Sequence, residues 1–149
     1  MDDVVFMTQA LREAAKAATA GEVPVGAVVV RKGRVVARGS NKPVKNSDPT
    51  AHAEIVALRQ AAGKAGNYRL PDCDLYVTVE PCAMCLGALV QARIRRLVFG
   101  ALDPKAGAVS SIMQFPFERT NHRPEVLGGI LADECAKLLR DFFRARRKK

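Results

Sequence analysis

Five consecutive residues, Gly26-Ala27-Val28-Val29-Val30, constrain the fold more than any other stretch of this chain. A strand with one wet face alternates apolar and polar residues. A near-continuous apolar run instead needs cover on both faces, as central strands of helix-covered sheets have it. The chain must therefore supply helices to two sides of one sheet. Lys32-Gly33 makes a tight turn from this run into Arg34-Val35-Val36-Ala37-Arg38, so the sheet opens with a hairpin.

The flanking segments provide the cover. Phe6, Met7, Ala10, Leu11, Ala14, Ala17 and Ala18 fall on one helical stripe over residues 3–19, with Arg12, Glu13 and Lys16 opposite and Gly21 closing the helix. Residues 39–50, rich in Gly, Ser, Asn, Pro and Asp, read as loop. A second helix is expected from Ala51 to Ala65, capped by Asp48 or Thr50, with Pro49 in its first turn and Ile55, Leu58 and Ala62 buried.

Leu75 to Val79 is a strand by its β-branched and aromatic content, and Pro81 suits the first position of a third helix ending near Ala92. Ile94 to Gly100 is a further strand and Val126-Leu127 a short edge strand. Ile130 to Arg147 reads as a final amphipathic helix that ends in cations. Residues 101–124 carry no clean periodicity. Strands alternating with helices after an opening hairpin predict the α/β class: a mixed five-stranded sheet with helices on both faces, in one domain spanning residues 1–149.

Composition narrows the functional classes. The apolar content of 48% suits an ordinary core, and no apolar tract is long enough to span a membrane. Met1-Asp2-Asp3 lacks the basic start of a secretory signal, which favours a cytoplasmic protein. Four cysteines, unevenly spaced, do not make a disulfide scaffold. A net charge of +9 favours a polyanionic partner, nucleic acid first.

Two short stretches carry the chemistry. His52-Ala53-Glu54 and Pro81-Cys82-Ala83-Met84-Cys85 each open a helix, where the positive end of the helix dipole favours thiolate at Cys82 and Cys85. One imidazole and two thiolates suit a zinc ion that keeps its fourth position for water, and Glu54 stands beside them as a proton carrier. A structural zinc would want a fourth protein ligand. Cys73, Cys135 and His122 are available for that, none with tight spacing to the pair. Redox chemistry at Cys82 and Cys85 would leave His52 and Glu54 unexplained.

The pairing of His-x-Glu with Pro-Cys-x-x-Cys matches the established signature of zinc nucleobase deaminases. Gly21 to Val28, Asn41 ahead of Pro43, Asp48 to Glu54, Leu75 to Cys82, Phe99-Gly100-Ala101, Asp103, Gly107, Asn121-His122 and Asp141 to Arg144 extend the match. Over residues 6–147 the chain resembles the TadA-type tRNA adenosine deaminases of the cytidine deaminase-like superfamily.

The resemblance implies a three-layer α/β/α fold and a homodimer with one zinc per subunit. It implies a cytoplasmic hydrolase, acting on an amidine C–N bond, that converts the wobble adenosine of a tRNA anticodon to inosine and releases ammonia. In that picture zinc sits on His52, Cys82 and Cys85, an activated water attacks C6 of the flipped adenine, and Glu54 shuttles the proton. Substrate contacts fall to Ala27, Asn41, Asp103, Phe143 and Arg146. Asn41 faces the base edge and Asp103 a ribose 2′-hydroxyl, for which an amide and a carboxylate are chemically apt. The basic tail, residues 143–149, and Lys42, Lys45, Arg93, Arg95 and Arg96 are further candidates for phosphate contact. Residues 112–120 follow no pattern of that family.

Overall fold

The computed structural model describes residues 2–147, so Lys148 and Lys149 of the basic tail lie outside the described residues. Strand β1 (Gly26–Arg31) pairs antiparallel with β2 (Arg34–Ser40) and, on its other side, with β3 (Cys73–Val79). From β3 the sheet continues in parallel through β4 (Arg96–Ala101) to β5 (Glu125–Leu127), giving the order β2-β1-β3-β4-β5. Every residue of β3 is buried, as is all of β1 except Arg31, which is why both read as apolar runs. The hairpin turn has φ of 51° at Lys32 and 76° at Gly33, the two positive values that the tight turn demands.

Helices cover both faces. Against α1 (Asp3–Thr19) and α5 (Ala132–Arg147) pack Val28, Val30, Tyr76 and Val98, joined by Met7, Ala10 and Cys135. Their alternates Ala27, Val29, Leu75, Val77 and Leu97 face α3 (Ala53–Ala65) and α4 (Ala83–Ala92), meeting Ala57, Leu58, Leu86 and Leu89. The period of two along each strand thus divides one apolar core into two.

Glycines set how close the helices come. A Cβ on Gly39 would lie 2.3 Å from the Ala53 carbonyl oxygen and 2.6 Å from the Ala57 nitrogen. One on Gly26 would lie 2.1 Å from Ala10 O and 2.4 Å from Ala14 N. Helix backbone therefore rests directly on strand backbone, and only small residues fit the contact. This corrects the expected inner face of α3. Its buried residues are Ala53, Glu54, Ala57, Leu58 and Ala61, while Ile55 and Ala62 are half-buried. On α1, Glu13 is buried rather than opposite the core, and pairs with Lys16 at 2.9 Å.

The ends of elements also differ from expectation. Residues 39–50 include a single helical turn, α2 (Pro43–Asn46), and the buried Glu22 accepts the Val44 and Lys45 N–H groups at 3.1 and 2.8 Å. Neither Asp48 nor Thr50 caps α3. Asp48 Oδ1 instead accepts the N–H and hydroxyl of Thr50, and His52 takes the cap position. Pro81 stands one residue before the cap of α4, which is Cys82. Beyond Ala101, where β4 ends, only a 3₁₀ turn, Phe117–Arg119, is regular before residue 125. The rings of Phe115 and Phe117, 4.8 Å apart, pack on the core under α3 and α4.

An ionic network fastens α1 to the sheet. Arg96 donates to Asp3 at 3.1 and 3.2 Å and lies 3.6 Å from Asp74, Arg95 grips Asp74 through two bonds, and the Tyr76 hydroxyl donates to Asp3. Among the described residues, no helix is long and apolar enough to cross a membrane.

Candidate active site

His52 and Cys82 occupy the cap positions of α3 and α4, both with extended backbone (ψ of 154° and 172°), and neither side chain caps its own helix. The imidazole and thiol are thus free to face each other. His52 Nδ1 lies 3.6 Å from Cys82 Sγ and 3.6 Å from Cys85 Sγ, and the three donor atoms fall within 4.8 Å of one another. Tetrahedral zinc, with bonds of about 2.3 Å to sulfur and about 2.0–2.1 Å to nitrogen, holds such atoms about 3.6 Å apart. The residues fit that ion.

Nothing among the described residues completes a cage of four. Among the described residues this is the one cluster of His, Cys, Asp or Glu with metal-ligating geometry. Cys73 opens β3, at the far end of the strand from Val79, and Cys135 packs on the opposite face of the sheet. His122 places Nε2 2.7 Å from the Ile94 carbonyl oxygen.

The local field divides the protons. A hydrogen bond from Cys85, with help from His52, pushes the Cys82 thiol down to about 4. Cys85, as the donor in that bond and buried besides, is pushed up. The bond to Cys82 raises His52. Glu54, 4% exposed, is raised by burial. A bound dication would hold both thiols deprotonated.

The remaining candidates separate into those the fold gathers and those it does not. A cleft of about 820 Å³ runs between α5 and the strand ends, and Val25, Val79, Asp103, Phe143 and Arg146 line it together. Asp103 is half-buried, its Oδ1 accepting the Lys105 and Ala106 N–H groups at 3.0 and 3.3 Å. Phe143 is 44% exposed, and the Arg146 guanidinium stacks 5.0 Å from the Phe142 ring. Asn41 does not line this cleft: its N–H donates to Val25 O at 3.1 Å, and its Oδ1 accepts the Ala53 N–H at 2.8 Å. Ala27 is fully buried in β1, in the core layer shared with Ala53 and Ala57. Arg95 and Arg96 sit at the other end of β4, engaged by Asp74 and Asp3.

Two residues escaped the sequence reading. Glu22 braces the α2 turn next to Asn41, and Glu80 gathers the loop after β4. The available signal was an acid embedded in otherwise apolar stretches, Gly21 to Val28 and Leu75 to Pro81.

Sheet order, paired helix starts and a buried acid two residues from the histidine define the deaminase class of α/β/α proteins. Comparisons narrow this. A family model for MafB19-like deaminases matches residues 1–147. The tRNA-specific adenosine deaminase of Agrobacterium fabrum is 51% identical over 143 residues, covering 95% of this chain and 94% of the relative. That of Haemophilus influenzae is 50% identical over 148 residues, covering 98% and 86%. A structure solved in a study of A-to-I editing by tRNA:A34 deaminases superposes with a TM-score of 0.87 at 50% identity, covering 90% of this chain and 98% of that one. A guanine deaminase from Nitrosomonas europaea superposes with a TM-score of 0.78 at 28% identity, covering 93% and 83%. This chain belongs to the tRNA-specific adenosine deaminase family.

Proposed function

We propose that this protein hydrolyses the wobble adenosine of a tRNA anticodon to inosine, releasing ammonia, with one zinc ion per subunit on His52, Cys82 and Cys85. The observation that carries the reading is the equal 3.6 Å spacing of His52 Nδ1 from the two cysteine sulfurs, with Glu54 buried beside it. Zinc in that position supplies the Lewis acidity that makes water a nucleophile at neutral pH.

The chain's own residues do the rest. Glu54 takes one proton from the attacking water and gives it to a ring nitrogen of the flipped adenine. It then takes the second from the new C6 hydroxyl and gives it to the amine, which leaves as ammonia when the C6–N bond breaks. Proton transfer of this kind contributes about 10²- to 10⁴-fold. Asn41 offers its amide N–H to the base edge while its oxygen holds α3 in place. Asp103, Phe143 and Arg146 line one cleft, suited to a ribose hydroxyl, a base face and a phosphate. Ala27, fully buried, supports the start of α3 from within the core layer it shares with Ala53 and Ala57.

The tRNA substrate follows the relatives, which are tRNA-specific adenosine deaminases at 51% and 50% identity, against 28% for the guanine deaminase structure. A homodimer in the cytoplasm, where tRNA is modified, completes the reading. Of the apolar residues on α4, Leu86, Leu89 and Val90 are buried within the chain, and Met84, 38% exposed, is left to meet a partner. The deciding experiment is incubation of the purified protein with tRNA followed by sequencing of the wobble position. Inosine there, with free guanine, cytosine and cytidine untouched, is the expected result. Turnover of the free bases beside an inert anticodon stem-loop would overturn it.

A further inference from the structure

We infer that Glu80 is a positioning residue for RNA: its carboxylate folds residues 103–111 into the one shape that presents Asp103 to the cleft. The inference rests on the tRNA reading above and adds a residue to it. Glu80 is 2% exposed, and no cation lies within salt-bridge distance of it among the described residues.

Its charge is met by loop donors instead. Oε1 accepts the Asp103 N–H at 3.0 Å and the Ser111 hydroxyl. Oε2 accepts the N–H groups of Val109, Ser110 and Ser111 at 3.0, 2.9 and 3.1 Å. A carboxylate offers about four lone-pair sites, so these donors saturate it. A buried charge met only by four N–H groups and one hydroxyl of a single loop fixes the backbone that supplies them, because any other loop path would leave that charge unmet.

The loop closes tightly on the carboxylate. A Cβ on Gly107 would lie 2.3 Å from Glu80 Cδ and 2.7 Å from Asp103 O. Ala108 donates to Pro81 O at 2.8 Å, so the same loop is stitched to the segment that carries Cys82. Asp103 is thereby held twice: its N–H by Glu80, and its carboxylate by the turn it caps at Lys105 and Ala106. Residues 101–111 contain no helix, and β4 ends at Ala101. One side chain replaces the ladder or turn periodicity that would otherwise order such a segment.

Glu80→Gln keeps the size of the side chain but turns an NH2 group onto at least two of the donors. For an anticodon stem-loop the variant should raise KM about tenfold or more, with kcat within about twofold of wild type, because binding rather than chemistry is disturbed. Zinc content should stay at one per chain, and amide exchange at residues 103–111 should accelerate. Gly107→Ala approaches the same contact from the loop side, and should reproduce the KM rise and the faster exchange with Glu80 intact. It also carries the test if Glu80→Gln fails to fold. Unchanged KM in the folded variants, a loss of kcat alone, or loss of zinc would each overturn the inference. Wild-type protein that makes no inosine would sink the tRNA reading instead, and the exchange measurement would then decide the loop-shaping role of Glu80 by itself.

Discussion

Asn41 Oδ1 accepts the backbone N–H of Ala53 at 2.8 Å, so a side chain from a loop caps the helix that begins between His52 and Glu54. The cap position itself is filled by His52, whose ring is turned to the cysteines and bonds no helix N–H. Asparagine is among the best capping residues, and here it works across the fold. The residue expected on the base edge therefore also sets the stance of the reacting groups.

The two roles of Asn41 are separable. Asn41→Ala should lower stability by about 0.5–2 kcal/mol, the usual cost of a lost cap, and should also impair inosine formation. Asn41→Asp keeps the acceptor, so its melting temperature should stay near wild type while activity falls through loss of the amide donor. Thermal melts beside an inosine assay read both. A fully active Asn41→Asp protein would leave the residue with its capping role alone.

Glu54→Gln should fold and bind zinc as wild type does, since the carboxylate is not among the three donor atoms. Inosine formation should fall by about 10²- to 10⁴-fold, the typical contribution of a positioned acid–base group. Activity within a fewfold of wild type would remove the proton-shuttle role.

Cys73→Ser and Cys135→Ser should each retain stoichiometric zinc by elemental analysis, because the first sits at the far end of β3 and the second on the other face of the sheet. Cys82→Ser and Cys85→Ser should not. Chelation of wild-type zinc should abolish activity and be reversed on adding the metal back. Retained activity after complete chelation would argue against a metal at the His52 cluster.

Acid sensitivity should trace in part to Asp3. Its hydrogen bonds with Arg96 hold the carboxyl below its ordinary value of 3.8. A carboxylate depressed in the folded state adds stability that is fully present above 3.8 and is lost as the pH falls through its folded value. Asp3→Asn should therefore cost about 1.5–3 kcal/mol at pH 7, typical of hydrogen bonds to a charged group, and the gap to wild type should close in acid. A gap that stays constant as the pH is lowered would exclude Asp3 as its source.

RNA affinity should depend steeply on salt, since Arg140, Arg144, Arg146 and Arg147 all border the cleft. For 6–10 phosphate contacts the loss between about 50 and 200 mM salt is about 10³- to 10⁵-fold. Arg146→Ala should weaken binding and flatten that slope by about one contact. A flat profile for wild type would mean these cations do not meet phosphate.

What the sequence disclosed depended on how local the causes were. Gly26 to Val30 announced a doubly covered strand because burial on both faces leaves its mark on consecutive residues. His52, Glu54, Cys82 and Cys85 announced a cluster because few other uses need those types at two helix starts. The inward face of α3 was misread because it is set by Gly39, a residue on a different element, which admits only the alanines of the helix. Asp48 and Thr50 were plausible caps for the same local reason that Asn41, 12 residues from Ala53, was not recognised as one. Residues 101–124 showed no period because their order comes from Glu80 and from Phe115 and Phe117 packing on the core, none of which repeats along the chain.

Because the sheet stands between them, α5 packs on one apolar layer and the pair α3 and α4 on another. Drift in the exposed side chains of α5 leaves Gly39 and the alanines beneath His52 untouched. A scaffold partitioned in this way is modular: the outer face of α5 can be resurfaced without repacking the layer beneath His52.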